Sequence, residues 1–218
     1  MRLRITFSKT GSLRYTGHLD LQTVWERTAR RAGLTLAYTH GFHPGPRIQI
    51  ASALPLGIAG TAEIVDLWLD SDPGEAAETR GRLQAGAPPG LIILQVETVD
   101  EHGPALQTQV ESAEYQVTLL EPVSGPDLQE RLDGLLHAAA LPRQRRDKSY
   151  DLRPLIEELT LTPGSSPEGV GVRVFMRLAA RAGATGRPEE VLDALGIPME
   201  AARIERTRLL LKSGIESP

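Results

Sequence analysis

Cysteine is absent from the 218 residues. Without it there is no disulfide, no thiol nucleophile, no cysteine-based zinc site and no cysteine-ligated iron–sulfur cluster. Lysine is nearly absent as well: three lysines stand against 21 arginines. Guanidinium is the better fork for phosphate or carboxylate, and a GC-rich genome produces the same bias. No apolar run approaches the roughly 20 residues of a membrane span. The opening "MRLRITFSK" reads as a strand, without the apolar stretch of a signal peptide. The expectation is a soluble, cytoplasmic protein with no membrane partner.

What is present is ordinary for a globular chain: 40% hydrophobic and 24% charged residues, in a length that suits one large domain or two small ones. The net charge of −4 argues against a general nucleic-acid binder. Its distribution is uneven. Arg2, Arg4, Lys9, Arg14, Arg27, Arg30, Arg31 and Arg47 against Asp20 and Glu26 give the first 60 residues +6, leaving −10 for the rest. A basic block on an acidic chain attracts anionic partners or forms a solvated face.

The order of elements is clearer than the charge. "RLRITFS" alternates Leu3, Ile5 and Phe7 with polar residues, as a half-buried strand does. Leu21, Val24, Trp25, Thr28, Ala29 and Ala32 form one helical stripe, with Gly33 as its stop. "LTLAYTH", "RIQIASA" and "AEIVDLWLD" read as strands, 74–86 as a weak helix and "LIILQVETV" as a strand. The pattern then returns, with strands at "YQVTLLE", "VGVRVFMRLAA" and "ARIERTRLLL", helices at 126–141 and 187–196, and "YDLRPLIEELTLT" extended in part. The predicted fold class is α+β, two tandem ferredoxin-like (split β-α-β) domains at 1–100 and 112–212, with a linker at 101–111 and a tail at 213–218.

The loop "YTHGFHPGPRIQI" holds the densest candidate chemistry. His40 and His43, with His18 brought near, are enough ligands for a metal, but no acidic residue sits beside the pair and Pro44 restricts His43. His18 opens the first helix, where the macrodipole disfavours imidazolium; a neutral ring there can accept a proton from a ribose hydroxyl, or simply cap and pack. Gly41 lets backbone amides approach a phosphate, Tyr38 and Phe42 offer stacking faces, and Lys9, Arg14, Arg30, Arg31 and Arg47 offer charge. A structural turn explains the same loop. A second basic run, Arg143, Arg145, Arg146, Lys148 and Arg153 with Tyr150 inside it, is either a solvated loop or a further nucleic-acid contact.

At these residues the chain resembles the radical SAM-linked domain family. The likeness rests on Ser8-Lys9-x-Gly11, His18-Leu19-Asp20-Leu21, Arg30-Arg31-Ala32-Gly33, Gly41-Phe42-x-Pro44-x-Pro46 and Leu54-Pro55-Leu56-Gly57, with 150–156 and 186–196 extending it. Members occur fused to, or encoded beside, cobalamin-binding radical S-adenosylmethionine proteins. The family pattern more often carries asparagine at the position of His43, whereas His18 matches it. The resemblance implies a radical SAM partner and no reaction of its own. A radical SAM cluster needs three thiolates, which these residues lack.

The leading expectation is therefore an accessory module without cofactor or metal, binding RNA or an RNA-containing complex for a radical SAM enzyme. Its contacts would be Lys9, Arg14, Arg30, Arg31, Tyr38, Gly41, Phe42, Arg47, Arg143, Arg145, Arg146, Lys148 and Arg153. One alternative is a metal-independent endoribonuclease of RAMP-like fold with His18 as general base. Another is a protein-interaction domain without RNA.

Overall fold

The computed structural model of the chain describes residues 1–121, 123–145, 147–166 and 169–212, the side chains of 163–166 and 169–171 excepted. Arg146 and the expected tail at 213–218 lie outside the described residues. Two compact units emerge: Met1–Val110 with Lys212, and Glu111–Leu211. Both are mixed α+β with mostly antiparallel sheets.

Unit 1 begins with β1 (Arg2–Lys9), a 3-10 turn (Gly11–Tyr15) and α1 (His18–Arg31). It continues through β2 (Ile48–Ile50), β3 (Ala59–Trp68), α2 (Ala76–Gly86), β4 (Leu91–Val99) and the single turn α3 (Leu106–Gln109). β1 runs between β3 and β4, and β2 lines the far side of β3, every pair antiparallel. The alternation of β1 sends Leu3, Ile5 and Phe7 into a core with Val65 and Leu67 of β3 and the α1 stripe. Trp25 is fully buried and meets Phe7 edge to face at 4.8 Å. Side chains of this size contribute about 1.5–3 kcal/mol each on burial, so this layer holds the unit together. The expected strand at 34–40 is instead irregular, with isolated bridges from Leu36 to Leu69 and from Tyr38 to Pro46. Pro44 and Pro46 have no N–H to offer a ladder.

The other face of the β1–β3 pair is polar, yet it is not open to solvent. Asp66 of β3 is 0% exposed and receives both arginines of β1. Arg2 donates to its carboxylate from Nε at 2.8 Å and Nη2 at 2.5 Å, and Arg4 from Nε and Nη2 at 3.0 Å each. Arg2 also donates to the carbonyls of Asp100, Gly103 and Pro104. Residues 101–110 of the segment expected as a linker belong to unit 1, where Leu106 is fully buried and donates its N–H to the Gln49 side chain.

Unit 2 repeats the succession. It runs β5 (Val110–Leu119), α4 (Gly125–His137), the strands β6 (Pro142–Arg145) and β7 (Lys148–Asp151), then β8 (Ile156–Ser166) and β9 (Gly169–Arg181). It ends with β10 (Ala184–Thr185), α5 (Pro188–Ala194) and β11 (Ala202–Leu211). Its sheet order is β8-β9-β5-β11, with β10 also on β9. The pair β6–β7 is a hairpin where the sequence suggested a solvated loop. Among the described residues no helix is long and apolar enough to cross a membrane.

The Asp66 cluster makes a direct prediction. Asp66→Asn leaves two guanidinium groups facing a neutral amide, one of them buried, so stability measured by urea unfolding should fall by about 3 kcal/mol or more. A loss below about 1 kcal/mol would show the cluster to be incidental.

Candidate nucleic-acid interface

Three of the eight N-terminal cations, Arg2, Arg4 and Lys9, are taken up inside the fold. Arg2 and Arg4 neutralise Asp66. Lys9 is buried, donating from Nζ to the carbonyl of Thr16 at 2.8 Å, and so is placed to fix the 3-10 turn rather than to meet an anion. Arg30 pairs with Glu26 at 2.7 Å on the surface of α1. Arg47 and Arg2 each hold a guanidinium carbon 4.7 Å from the Trp68 ring, an arrangement worth about 0.5–2 kcal/mol. Arg31 is exposed on α1 and makes no ion pair with any described residue.

Arg14 is different. It lies in the 3-10 turn, whose start is set by the Thr10 N–H donating to Gly90. Gly90 has φ +89°, and any Cβ there would lie 2.4 Å from the Thr10 carbonyl, so only glycine lets these backbones meet. Arg14 Nη2 donates to the Tyr15 hydroxyl at 2.7 Å, and its guanidinium carbon sits 4.8 Å from the Tyr15 ring. It has no carboxylate partner among the described residues, and its buried Nε has no acceptor. Tyr15 is 62% exposed and packs beside Gly57, whose neighbour Leu56 is also exposed. The N-terminal turn of α1 follows at once, with His18 half-buried and Leu19 and Asp20 exposed. No described residue hydrogen-bonds to the His18 ring.

The loop that drew attention in the sequence is a hairpin. Arg47 N–H donates to the Ala37 carbonyl and Thr39 N–H to that of Gly45, each at 2.8 Å, while at the root Ala37 N–H donates to the carbonyl of Trp68 in β3 and Trp68 N–H to that of Arg47. Gly41, at φ +136°, turns the tip. Residues 40–44 stand in solvent, and Phe42 is completely exposed, with Tyr38 about half so. Among the described residues no three His, Asp or Glu side chains gather as metal ligands.

The second basic run divides in unit 2. Arg153 donates from Nε and Nη2 to the Leu136 carbonyl, closing the C-terminal end of α4. Arg143 is half-buried and reaches Asp193 at 3.8 Å. Tyr150 donates its hydroxyl to Glu190. Arg145 and Lys148, in contrast, are exposed at the hairpin tip and line a cavity of about 710 Å³ with Ser149, Tyr150, Thr185 and Arg187. Leu56 and Arg187 are not among the contacts the sequence suggests, and it offers Tyr15 only as a helper to His18. The dipeptide Arg14-Tyr15 ahead of a helix start was a visible signal; the cavity, assembled from segments far apart in the chain, left none.

The molecule is thus a cysteine-free, two-unit α+β protein whose most exposed aromatics, Tyr15, Tyr38 and Phe42, lie on turns and loops. The chain belongs to a family described as uncharacterized protein conserved in bacteria (DUF2344), which matches residues 2–188. No curated protein matches it. Among solved structures, that of a Cbf5-Nop10-Gar1 complex aligns with a TM-score of 0.50 and 11% identity, over 95% of this chain and 48% of that one. An archaeal box H/ACA sRNP Nop10-Cbf5 complex gives 0.48 and 12%, over 97% and 49%. An H/ACA RNP bound to a substrate RNA containing 2'-deoxyuridine gives 0.48 and 12%, over 95% and 47%. The chain spans about half the length of each matched chain, and at such identity the first of these is a likeness of fold.

Burial, and then the Glu190 carboxylate that accepts its proton, push the Tyr150 phenol up to about 12. Because the folded state holds the proton more tightly than the unfolded one, this tie stabilises fully below the ordinary phenol range and is lost as pH rises through about 12. Absorbance titration should show a late-ionising phenol that disappears in Tyr150→Phe and moves down in Glu190→Gln. A late phenol unchanged in both variants would contradict the assignment.

Proposed function

We propose that this chain is an accessory module that holds single-stranded RNA for a partner enzyme, with the Arg14–Tyr15 pair of unit 1 as the principal contact. That pair is the observation that carries the reading. A guanidinium with no carboxylate partner, fixed on a tyrosine that is 62% exposed, combines a phosphate donor with a stacking face. A base stacked on such a ring is worth about 1–3 kcal/mol, and with no carboxylate beside it among the described residues Arg14 keeps its charge available to a phosphate. The exposed Leu19 and Leu56 supply an apolar rim, Phe42 and Tyr38 a second stacking surface on the 37–47 hairpin, and Arg31 further charge. In this reading His18, three residues along the chain from Tyr15, contacts a ribose.

The resemblance to the radical SAM-linked family supports a cobalamin-binding radical S-adenosylmethionine protein as the partner. With no thiolate in these residues, the cluster of such an enzyme is held by other residues than these. The repeated order of strands and helices supports a ferredoxin-like reading of each unit, with domains near 1–100 and 112–212.

Fluorescence anisotropy with a 5′-hydroxyl single-stranded RNA tests the reading. Affinity should fall as salt rises, Tyr15→Ala should weaken it by about 1–3 kcal/mol, and Arg14→Ala should flatten the log–log salt slope by about 0.7. No binding at low salt, or parental binding by both variants, would overturn RNA recognition and leave these aromatics to a protein partner. RNA cleavage in EDTA that disappears in His18→Ala would replace the module with a ribonuclease.

A further inference from the structure

Unit 2 holds a feature that the RNA reading of unit 1 does not use. The β6–β7 hairpin is tied down at its root and free of neutralising partners at its tip. At the root, Asp151 accepts from the N–H groups of Leu141 and Arg153 at 2.7 and 3.0 Å, Tyr150 donates to Glu190, and Arg143 faces Asp193. Every titratable side chain there has a partner. At the tip, Arg145 and Lys148 are the last register pair of the ladder. Residues directly opposite in an antiparallel pair hold their Cβ atoms about 4.5–5.5 Å apart on one face, and like charges so placed destabilise the pair. Neither cation has a carboxylate partner among the described residues, and Asp147, exposed in the turn between them, pairs with neither. No ion pair among the described residues offsets this like-charge pair.

Both cations line the cavity of about 710 Å³. That volume falls in the range of small-molecule sites, roughly 300–1,000 Å³. Its wall adds Arg187, which is shared with Glu189 at 3.4 Å, the hydroxyls of Ser149 and Thr185, and the ring of Tyr150. The carboxylates on the wall are Asp147 and Asp151, and one oxygen of the latter is already occupied by two backbone N–H groups.

We propose that this cavity binds a phosphomonoester on a group of nucleoside size, its phosphate seated between Arg145 and Lys148. A dianion there converts the opposed cations from a repulsive pair into two charge-assisted donors. The aromatic and hydroxyl wall then meets the nucleoside. The ligand is either a free nucleotide or the 5′-phosphorylated end of an RNA. The inference stands apart from the Arg14–Tyr15 reading, because it needs a terminal phosphate rather than internal phosphodiesters.

Calorimetry on the full chain with AMP, adenosine, and one RNA tetranucleotide carrying either a 5′-phosphate or a 5′-hydroxyl decides it. AMP should bind and adenosine should not, and Arg145→Ser or Lys148→Ser should each weaken AMP about tenfold or more, with circular dichroism unchanged. Phosphorylated RNA binding more tightly than AMP assigns the RNA end as the source; AMP binding more tightly assigns the free nucleotide. Arg145→Glu places a carboxylate opposite Lys148, so it should abolish AMP binding while raising the thermal midpoint. Equal binding of AMP and adenosine, no binding of AMP or phosphorylated RNA, Ser variants that bind as the parent does, or a midpoint no higher in Arg145→Glu would overturn the proposal. Failure of the 5′-hydroxyl RNA alone would instead remove the RNA reading of unit 1.

Discussion

A single carboxylate organises unit 1. Asp66 is buried on the face of β3 opposite the hydrophobic core, where an isolated charge would cost several kcal/mol. Two arginines from β1 make it tenable, and one of them, Arg2, extends to three carbonyls between 100 and 104. The strand pair, the segment beyond β4 and the Trp68 ring are thus joined through one guanidinium–carboxylate network. Removing one member would leave its partners desolvated and unsatisfied, which is why such clusters act as a unit.

This arrangement changes the meaning of the basic N-terminus. Six charges of excess suggest an anion-binding face, yet Arg2, Arg4 and Lys9 serve the interior, Arg30 is paired and Arg47 lies on Trp68. What remains is Arg14 with the helix residues Arg27 and Arg31, so any electrostatic attraction from this unit is local. Affinity for RNA must then draw on stacking as much as on charge.

The dry side of the fold was legible because its spacing is regular. Leu3, Ile5 and Phe7 at period two, and Leu21, Trp25, Thr28 and Ala29 at helical period, are buried as their pattern implies. The polar side was not. Alternation assigns Arg2 and Arg4 to solvent, and nothing local indicates that Asp66, 64 and 62 positions away, will take them inside. The hairpin of unit 2 was hidden for a related reason. "RQRRDKSYDLR" has too much charge to look like a strand pair, and its order comes from contacts to Glu190, Asp193 and Leu136 that only the folded chain supplies. The loop at 37–47 was half legible: its glycines and prolines marked a turn, and its fully exposed Phe42 is a property of the folded structure.

The partition of arginines into those that hold the fold and those that face a ligand is the claim on which these functional readings stand. The Nε–H resonances of the arginines, followed by nitrogen-resolved NMR during titration with single-stranded RNA, report each guanidinium separately. Arg2 and Arg4 should exchange slowly with solvent and stay unmoved throughout, while Arg14 shifts in proportion to RNA bound. Rapidly exchanging Arg2 and Arg4 signals that move with RNA, beside an Arg14 signal that does not, would contradict it.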